Sequence, residues 1–293
     1  MHDIWNPWHG CRKCSEGCEN CYMYYLDGIH NNGDSSVVRL TSSLTYPLSR
    51  LRDGKYRIKS GEKLRVCLTS DFFIEEADAW RDQAWEIMRM RPDVEFSLLT
   101  KRPERVKECL PHGWDGSEEN ITLSVTAENQ RRADERLPTL LSLPFSHKGV
   151  MTAPLIGEIS LEKYFADGQI EQVICGGENY AGSRVCSFDW AKKLYEECKR
   201  NNVSFAFIET GTKFLKDGKL YTIKSKRTQS EMAYLSGLQF TADRKRYVFR
   251  DTLGIPIPEE RLYEPRFKPH CGRCGSRMIC NGCSFCTKCE MEK

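Results

Sequence analysis

The sequence predicts an α/β fold, a complete or partial parallel (β/α) barrel followed by a small cysteine-rich C-terminal module. Three observations predict it: strand-type apolar runs alternate with helical segments, polar residues follow nearly every strand, and the last cysteines cluster where apolar residues are sparse. We expect a barrel over 1–212, a basic extension and linker over 213–260, and the cysteine-rich module over 261–293. An open doubly wound sheet is the alternative for the first segment.

The elements alternate regularly along the first two thirds of the chain. A first short strand precedes the N-terminal cysteines, and later strands are predicted at 64–68, 95–99, 121–125, 148–151, 172–175 and 203–208. Helices are predicted at 44–51, 75–90, 103–110, 130–141 and 188–201. The Asp-Gly pair within 216–219 predicts a hairpin turn. Parallel strands need long crossovers, usually helices, so the alternation predicts parallel β-α units.

Polar and charged residues collect directly after the predicted strands. In a parallel barrel these strand ends meet at one rim, where the active site is built from residues distant in sequence. For any single residue, contact with water explains its polarity equally well, and it is their number that indicates a site. The residues are Thr69, Ser70, Asp71, Thr100, Lys101, Arg102, Thr126, Glu128, Asn129, Thr152, Gly176, Gly177, Glu178, Glu209 and Thr210.

The cysteines are numerous and unevenly distributed. Of fifteen, four lie between Cys11 and Cys21 and six between Cys271 and Cys289. Spacings of two or three residues are typical of metal ligation, whereas a disulfide framework spreads its cysteines along a small secreted chain. We find neither a membrane-length apolar run nor a signal-like N-terminus, and expect a cytoplasmic protein with reduced thiols. The net charge of +3 allows a polyanionic partner without requiring one.

The first cluster indicates an iron-sulfur site. Cys14, Cys18 and Cys21 have the spacing C-x3-C-x2-C, and three thiolates on a short loop can hold three irons of a 4Fe-4S cube while one iron stays open. Cys11 supplies a fourth thiol, so a structural zinc ion bound by all four is the competing interpretation. We favour the iron-sulfur cluster because the string lacks the longer insert that usually separates the two halves of a zinc site.

The second cluster predicts another metal centre. The segment has little apolar content, so it needs a metal to hold a shape. Four of its six thiolates would complete a fully ligated second 4Fe-4S cluster, and a zinc ribbon is the alternative. The candidate ligands are Cys271, Cys274, Cys280, Cys283, Cys286 and Cys289.

Several motifs together resemble one family. They are Trp5-Asn-Pro-Trp-His-Gly-Cys11, Gly17-Cys-Glu-Asn-Cys-Tyr22, Ser70-Asp-Phe-Phe73, Leu99-Thr-Lys-Arg102, Val125-Thr-Ala-Glu-Asn-Gln130, Gly176-Gly-Glu178 and Asp189-Trp190. Over about residues 5–220, the chain resembles the phage-associated three-cysteine-motif family of the radical S-adenosylmethionine superfamily. That family has no assigned function and is similar to spore photoproduct lyase, a DNA repair enzyme.

The resemblance implies a radical S-adenosylmethionine barrel, in which the open iron binds S-adenosylmethionine and its cleavage yields a 5'-deoxyadenosyl radical that abstracts hydrogen. It implies a reductant protein such as flavodoxin or ferredoxin, and favours a nucleic-acid substrate over a peptide or small metabolite. The implied cofactor-binding residues are Ser70 and Asp71 at the amino group, Lys101 and Arg102 at the carboxylate or a substrate phosphate, Glu128 and Asn129 at the ribose, and Gly176, Gly177 and Glu178 at cofactor or substrate.

The chain departs from the family pattern at several positions. Family members carry cysteines at the positions of Cys11, Cys18 and Cys21 with an aliphatic residue where Cys14 stands. We favour Cys14 as the third ligand from the superfamily spacing and leave Cys11 as the alternative. Ala153 and Glu209 also differ from the residues that family members usually carry at these positions. These differences weaken the argument for assigning a family substrate to this chain. The alternative function, from a different functional class, is a zinc-stabilised nucleic-acid-binding module without catalysis. Iron-sulfur clusters used only for electron transfer or sensing would leave the polar rim unexplained.

Overall fold

The computed structural model describes residues 4–243, residues 247–263 and the backbone of two short strands at 266–267 and 279–280. In chain order, the strands are β1 (Ile4–Trp5), β2 (Trp8–His9), β3 (Arg39–Leu40), β4 (Lys63–Val66), β5 (Glu95–Thr100), β6 (Ile121–Thr126), β7 (His147–Thr152), β8 (Ile170–Gly176), β9 (Val185–Ser187), β10 (Ser204–Glu209), β11 (Lys213–Lys216), β12 (Lys219–Thr222), β13 (Gln239–Phe240), β14 (Arg266–Phe267) and β15 (Ile279–Cys280). The helices are α1 (Tyr22–His30), α2 (Asp78–Arg89), α3 (Pro103–Val106), α4 (Gln130–Ser142), α5 (Phe188–Arg200) and α6 (Lys226–Leu235).

One large sheet organises the molecule. It has eight strands in the order β1-β4-β5-β6-β7-β8-β10-β13. All neighbours run parallel except β13, which is antiparallel to β10. The fold is therefore mixed α/β, as predicted. The strands follow chain order without the reversal that defines a doubly wound sheet, so that alternative is wrong. β1 and β13 are the sheet's two edges, and within the described residues the sheet does not close into a complete barrel.

The predicted strands are confirmed, with bounds that shift by at most two residues. β4 ends earlier than predicted because Cys67 has a positive φ of 58°, which turns the chain out of the strand. The helices predicted at 75–90, 130–141 and 188–201 correspond to α2, α4 and α5, with a 3₁₀ turn before α2 at Glu75–Ala77. The helix predicted at 103–110 is shorter, α3 followed by a 3₁₀ turn at Lys107–Cys109.

One local prediction is wrong, one helix goes unpredicted and one hairpin turn is confirmed. The helix predicted at 44–51 is only a 3₁₀ turn, Tyr46–Leu48, in which Pro47 lacks the backbone N–H that a longer helix would use. Helix α6 lies in the basic segment after residue 212, for which the sequence analysis predicts no helix. The hairpin over 216–219 is confirmed, since β11 pairs antiparallel with β12 and both Asp217 and Gly218 have positive φ.

The basic segment after residue 212 joins strands of the preceding part of the chain. β11 pairs in parallel with β9, and β13 extends the large sheet beside β10. Among residues 4–243 and 247–263, no helix has both the length and the apolarity needed to cross a membrane.

A cluster of buried aromatic side chains anchors the segment directly before the N-terminal cysteines. Trp8 packs on Phe72 with ring centroids 5.1 Å apart, and Phe72 packs edge-on against Trp85 of α2 at 4.9 Å. All three are buried, and burying aromatic side chains of this size is a large contribution to stability. The Trp8 indole also donates a hydrogen bond to the Asp71 carbonyl at 3.1 Å. The residues before the cysteines are thus anchored to the segment that follows β4.

Candidate metal centre

The four N-terminal cysteines lie on one loop, residues 11–21, called the cysteine loop below. It enters from β2 through Gly10, whose φ is 96° and whose added β-carbon would lie 2.3 Å from the Val37 carbonyl oxygen. The Gly10 N–H donates to the Thr69 carbonyl at 3.0 Å, and the Ser70 hydroxyl donates to the Gly10 carbonyl. Ser70, a predicted cofactor-binding residue, therefore fastens the start of the loop to the end of β4.

The thiols differ in exposure and in acidity. Cys14 is exposed, while Cys11, Cys18 and Cys21 are half-buried, and none is in a disulfide. A hydrogen bond from Cys14, helped by the Lys101 ammonium and the Ser15 hydroxyl and opposed by burial, lowers the pKa of Cys18 to about 4. Burial and the Asp71 carboxylate, opposed by the Arg102 guanidinium, raise the pKa of Cys11 to about 11. Cys18 is therefore the thiolate of this pair at neutral pH.

The thiols do not form a ready single-ion site. Among residues 4–243 and 247–263, no three His, Cys, Asp or Glu side chains are grouped so that they could hold a metal ion. The thiols nevertheless lie close enough to influence one another, because Cys18 and Cys21 both raise the pKa of Cys11. The loop therefore presents several soft donors that are near one another.

The end of β5 places two positively charged side chains beside the cysteine loop. The Arg102 guanidinium pairs with Asp71 at 3.1 Å, donates to the Arg12 carbonyl at 2.6 Å and comes within 4.0 Å of the Cys11 sulfur. The Lys101 ammonium lies 4.0 Å from Glu128 Oε1. Positive charge next to thiols favours their thiolate form, which is the metal-binding form.

Asp71 is a structural hub of this rim. Its carboxylate accepts hydrogen bonds from the Thr100 hydroxyl at 2.8 Å, the Phe73 N–H at 3.0 Å and the Lys101 N–H at 3.0 Å, in addition to its pair with Arg102. Both oxygens thus have protein donors, and the residue is buried. This arrangement ties the end of β4 to the end of β5.

Glu128, at the end of β6, contacts the middle of the cysteine loop. Its Oε1 accepts from the Ser15 hydroxyl at 2.5 Å, and its Oε2 accepts from Arg136 at 2.7 Å. The contact is close because Gly17 has no side chain: an added β-carbon would lie 2.3 Å from Glu128 Cγ. The neighbouring Asn129 caps α4 by accepting from the Arg132 N–H at 3.0 Å.

Glu16 binds the same rim through two side chains. Asn129 donates to its Oε1 at 2.5 Å, and the Arg132 guanidinium donates to its Oε2 at 2.9 Å through Nε and at 2.5 Å through Nη2. The hydrogen bond from Arg132, together with the bond from Asn129, holds the pKa of Glu16 down at about 2. Asn129 therefore holds the loop through Glu16.

Glu178, after β8, contacts the last part of the loop. Its Oε2 accepts from Asn20 at 3.0 Å, from the Arg184 backbone at 2.8 Å and from the Arg184 guanidinium at 3.0 Å. Arg184 reaches on to the Glu16 carbonyl at 2.8 Å and to Glu19 at 3.1 Å. Like Glu128, Glu178 is buried and points its carboxylate at the loop.

The two glycines before Glu178 are needed for backbone packing. An added β-carbon on Gly177 would lie 2.2 Å from the Thr210 carbonyl oxygen, and one on Gly176 would lie 3.1 Å from Glu209 Cγ. Both glycines therefore let the backbone after β8 pack closely against the end of β10.

Part of the predicted rim is thus brought to the cysteine loop: Arg102, Glu128, Asn129 and Glu178 contact it, and Ser70 contacts Gly10 directly before it. Gly176 and Gly177 pack on the end of β10 instead. Sequence reasoning missed the four basic and acidic partners Glu16, Arg132, Arg136 and Arg184. The spacing of Arg132 and Arg136 by four residues on α4 was the available signal, since such residues share a helix face. A pocket of about 470 Å³ lies elsewhere, at the amino ends of β7, β8 and β10, and contains none of the predicted residues.

The second cysteine cluster falls outside the described side chains. Only the backbone of Cys280 is described, as part of β15, which pairs with β14. The predicted ligands concerned are Cys271, Cys274, Cys280, Cys283, Cys286 and Cys289.

Comparison with known proteins identifies a family without a known activity. No curated protein matches the chain, and no solved structure matches it. A family model described as "protein of unknown function (DUF5131)" matches residues 1–242. Since this match spans the cysteine loop and every strand of the large sheet, the chain belongs to the DUF5131 family.

Proposed function

We propose that this protein is a radical S-adenosylmethionine enzyme whose cysteine loop binds a 4Fe-4S cluster. The observation that carries the proposal is the position of the loop, which lies against the carboxyl ends of parallel strands. Arg102, Glu128 and Glu178, after β5, β6 and β8, contact the loop, and Ser70, after β4, contacts Gly10 directly before it. The carboxyl end of parallel strands is where such folds build active sites.

The donor set fits a cluster better than a single ion. A structural zinc site usually has a longer insert between its two halves, and the Cys11–Cys21 string has none. A cube spreads its ligand sulfurs over different irons, so three separated thiolates on one loop suit it. Cys18 and Cys21 are two ligands, and Cys14 or Cys11 is the third. With S-adenosylmethionine bound and an electron donor to reduce the cluster, the site would supply radical chemistry for hydrogen abstraction.

The rim residues divide into two groups in this proposal. Asp71, Glu128 and Glu178 already have protein donors on their carboxylate oxygens, which suits them to hold the site together. The positive charge of Lys101, at the end of β5, helps to lower the pKa of Cys18, so its ammonium can offset negative charge at the loop. A cation here also suits the carboxylate of S-adenosylmethionine.

Nucleic acid is the proposed substrate class. Two features beside the site support it. Tyr25, on the helix that follows Cys21, stacks on Tyr180 with ring centroids 4.4 Å apart. The loop carrying Tyr180 is bonded to Thr212, directly before the β11–β12 hairpin with its exposed Lys213 and Lys219. Aromatic rings next to exposed cations are the combination that binds single-stranded nucleic acid. A peptide or small metabolite is the alternative.

The C-terminal cysteines are proposed to hold a second 4Fe-4S cluster or a zinc ion, and a flavodoxin- or ferredoxin-type protein is the proposed electron donor. Both assignments are tested by metal analysis of the full chain and by replacing a chemical reductant with such a protein. Iron and sulfide beyond the first cluster would support the cluster assignment, and bound zinc the ribbon.

The decisive experiment measures cleavage of S-adenosylmethionine. The full chain, reconstituted anaerobically with iron and sulfide and then reduced, is expected to produce 5'-deoxyadenosine. Cys18→Ala and Cys21→Ala should abolish the product, whereas Cys109→Ala, at a buried cysteine on another part of the chain, should retain it. Fully loaded protein that makes no 5'-deoxyadenosine with any candidate substrate would refute the proposal. Colourless protein that contains zinc would favour the nucleic-acid-binding module instead.

A further inference from the structure

We infer that Glu128 and Glu178 are positioning residues that hold the cysteine loop in place before any metal binds, and that they do not themselves bind the cofactor. The inference rests on the proposed function only in naming the cluster as what the loop receives. It changes the role that sequence resemblance implies for both residues, from cofactor contact to support of the metal ligands.

The first observation is that Glu128 has no free carboxylate oxygen. The side chain is fully buried, with Ser15 on one oxygen and Arg136 on the other. Arg136 also donates to the Thr126 carbonyl at 2.7 Å, so its guanidinium is fixed to the end of β6. A buried carboxylate held in this way is costly to rearrange, because breaking the Arg136 contact unpairs a buried charge and breaking the Ser15 contact removes a hydrogen-bond donor from a buried oxygen.

The second observation is the fit between Glu128 and Gly17. Gly17 lies in the 3₁₀ turn Glu16–Cys18, directly before the Cys18 thiol. An added β-carbon on Gly17 would lie 2.4 Å from Glu128 Oε1 and 2.7 Å from Glu128 Cδ. The carboxylate cannot simply move aside, since Arg136 holds it. The backbone beside a predicted ligand is thus packed directly on the rim.

The third observation is that Glu178 acts on the other side of Cys18. It accepts from Asn20, which lies between Cys18 and Cys21, and it orients Arg184 toward the Glu16 carbonyl. Its own exposure is 5%. Two carboxylates from different strand ends therefore hold residues 15 and 20, on either side of Cys18.

Such support has a consequence for metal binding. A loop that is ordered by its surroundings has lost its conformational freedom during folding, so ordering it does not oppose metal binding. Partners that orient metal ligands typically change metal affinity by about 10- to 100-fold. Removing Glu128 or Glu178 should therefore weaken cluster loading even though neither residue touches the cluster.

The test uses the full chain and the isosteric variants Glu128→Gln and Glu178→Gln. Hydrogen exchange of residues 15–20 in the metal-free protein is expected to rise about 10-fold or more in both. At limiting iron and sulfide, both should bind less iron than wild type, and the reduced cluster should give an altered electron paramagnetic resonance spectrum. Glu162→Gln, which loosens an exposed pair with Arg200, is the matched control and should change none of these.

A double-mutant cycle tests the contact itself. Gly17→Ala alone should loosen the loop, because its new methyl group meets the Glu128 carboxylate. In the Glu128→Ala background the same change should have a much smaller effect, because the obstacle is gone. Equal effects in both backgrounds would contradict the contact.

The outcomes are separable from the fate of the proposed function. Wild-type exchange and wild-type iron content in both Gln variants would overturn the inference. If the wild-type protein takes up no iron, the proposed function fails, yet loop exchange in the metal-free chain still decides whether these carboxylates position it. Should Glu128→Gln not fold, Glu178→Gln and Gly17→Ala decide the question.

Discussion

The hydroxyl of Ser15 lies 2.5 Å from Glu128 Oε1, although 113 residues separate the two in the chain. This contact joins the cysteine loop to the end of β6, and Asn20 with Glu178 makes the equivalent contact to the end of β8 at 3.0 Å. Loops are ordinarily the mobile part of a fold. Here the loop is held by the sheet, so the positions of its thiols are set by strands far along the chain.

The acidity of Cys18 leads to a prediction about alkylation. In the metal-free protein, the Cys18 thiol has a pKa of about 4, so it is a thiolate at pH 6 and should react with iodoacetamide. Cys11, whose pKa is about 11, is protonated at pH 6 and should not react. Cys14→Ala removes the largest cause of the low pKa, so the Cys18 pKa should rise toward 9.0 and the reaction at pH 6 should slow. Peptide mass spectrometry after timed labelling measures this. Identical labelling of Cys18 in both proteins would show that Cys14 does not control it.

The third cluster ligand can be identified by iron counting. If Cys14 is the ligand, as its spacing favours, Cys14→Ala should lose the cluster and Cys11→Ala should keep it. The reverse result would assign Cys11, whose sulfur lies 4.0 Å from Arg102. Iron and sulfide per chain, with the visible absorption spectrum, distinguish the two. Retention of a full cluster by both variants would mean that either thiol can serve.

Two glycines should respond oppositely to the same substitution. Gly177→Ala places a β-carbon 2.2 Å from the Thr210 carbonyl oxygen, so it should destabilise the fold by about 1–3 kcal/mol, the usual cost of overpacking. Gly28→Ala, inside α1 with no atom within 4 Å of the new carbon, should stabilise it by about 0.5–1 kcal/mol. Urea unfolding of the two variants measures both free energies. A neutral Gly177→Ala would mean that β8 and β10 are less tightly packed than described.

The nucleic-acid proposal predicts a charge effect on binding. Reversing Lys213 and Lys219, both exposed on the hairpin, should weaken binding of labelled single-stranded DNA and lower the salt dependence by about one unit of slope per lost phosphate contact. Reversal of Lys107, exposed on another part of the chain, is the control and should have little effect. Fluorescence anisotropy at several salt concentrations gives the slopes. Equal losses for both sites would indicate only a general charge effect, and absence of binding would favour a peptide or small metabolite.

The alternation of strands and helices could be predicted from the sequence because it depends on local patterns. Apolar runs such as 95–99 and 121–125 must be buried wherever the chain places them, and each became a central strand. The helix at 44–51 failed because a proline inside a short apolar stretch decides locally against it. The order of the strands in the sheet does not follow from local sequence patterns. Only the pairing of the strands from β4 to β10 shows that they lie side by side in chain order and do not form a doubly wound sheet.

By itself, the sequence predicted thiol donors for a metal and the location of the polar rim. Thiols at two- and three-residue spacing are donors in any fold that keeps them together, and residues after parallel strands share one edge of the sheet. Only the tertiary structure decided what the rim carboxylates do. Whether Glu128 and Glu178 face a cofactor or the cysteine loop depends on partners more than 100 residues away, Ser15 and Asn20, and no local pattern specifies such a pairing.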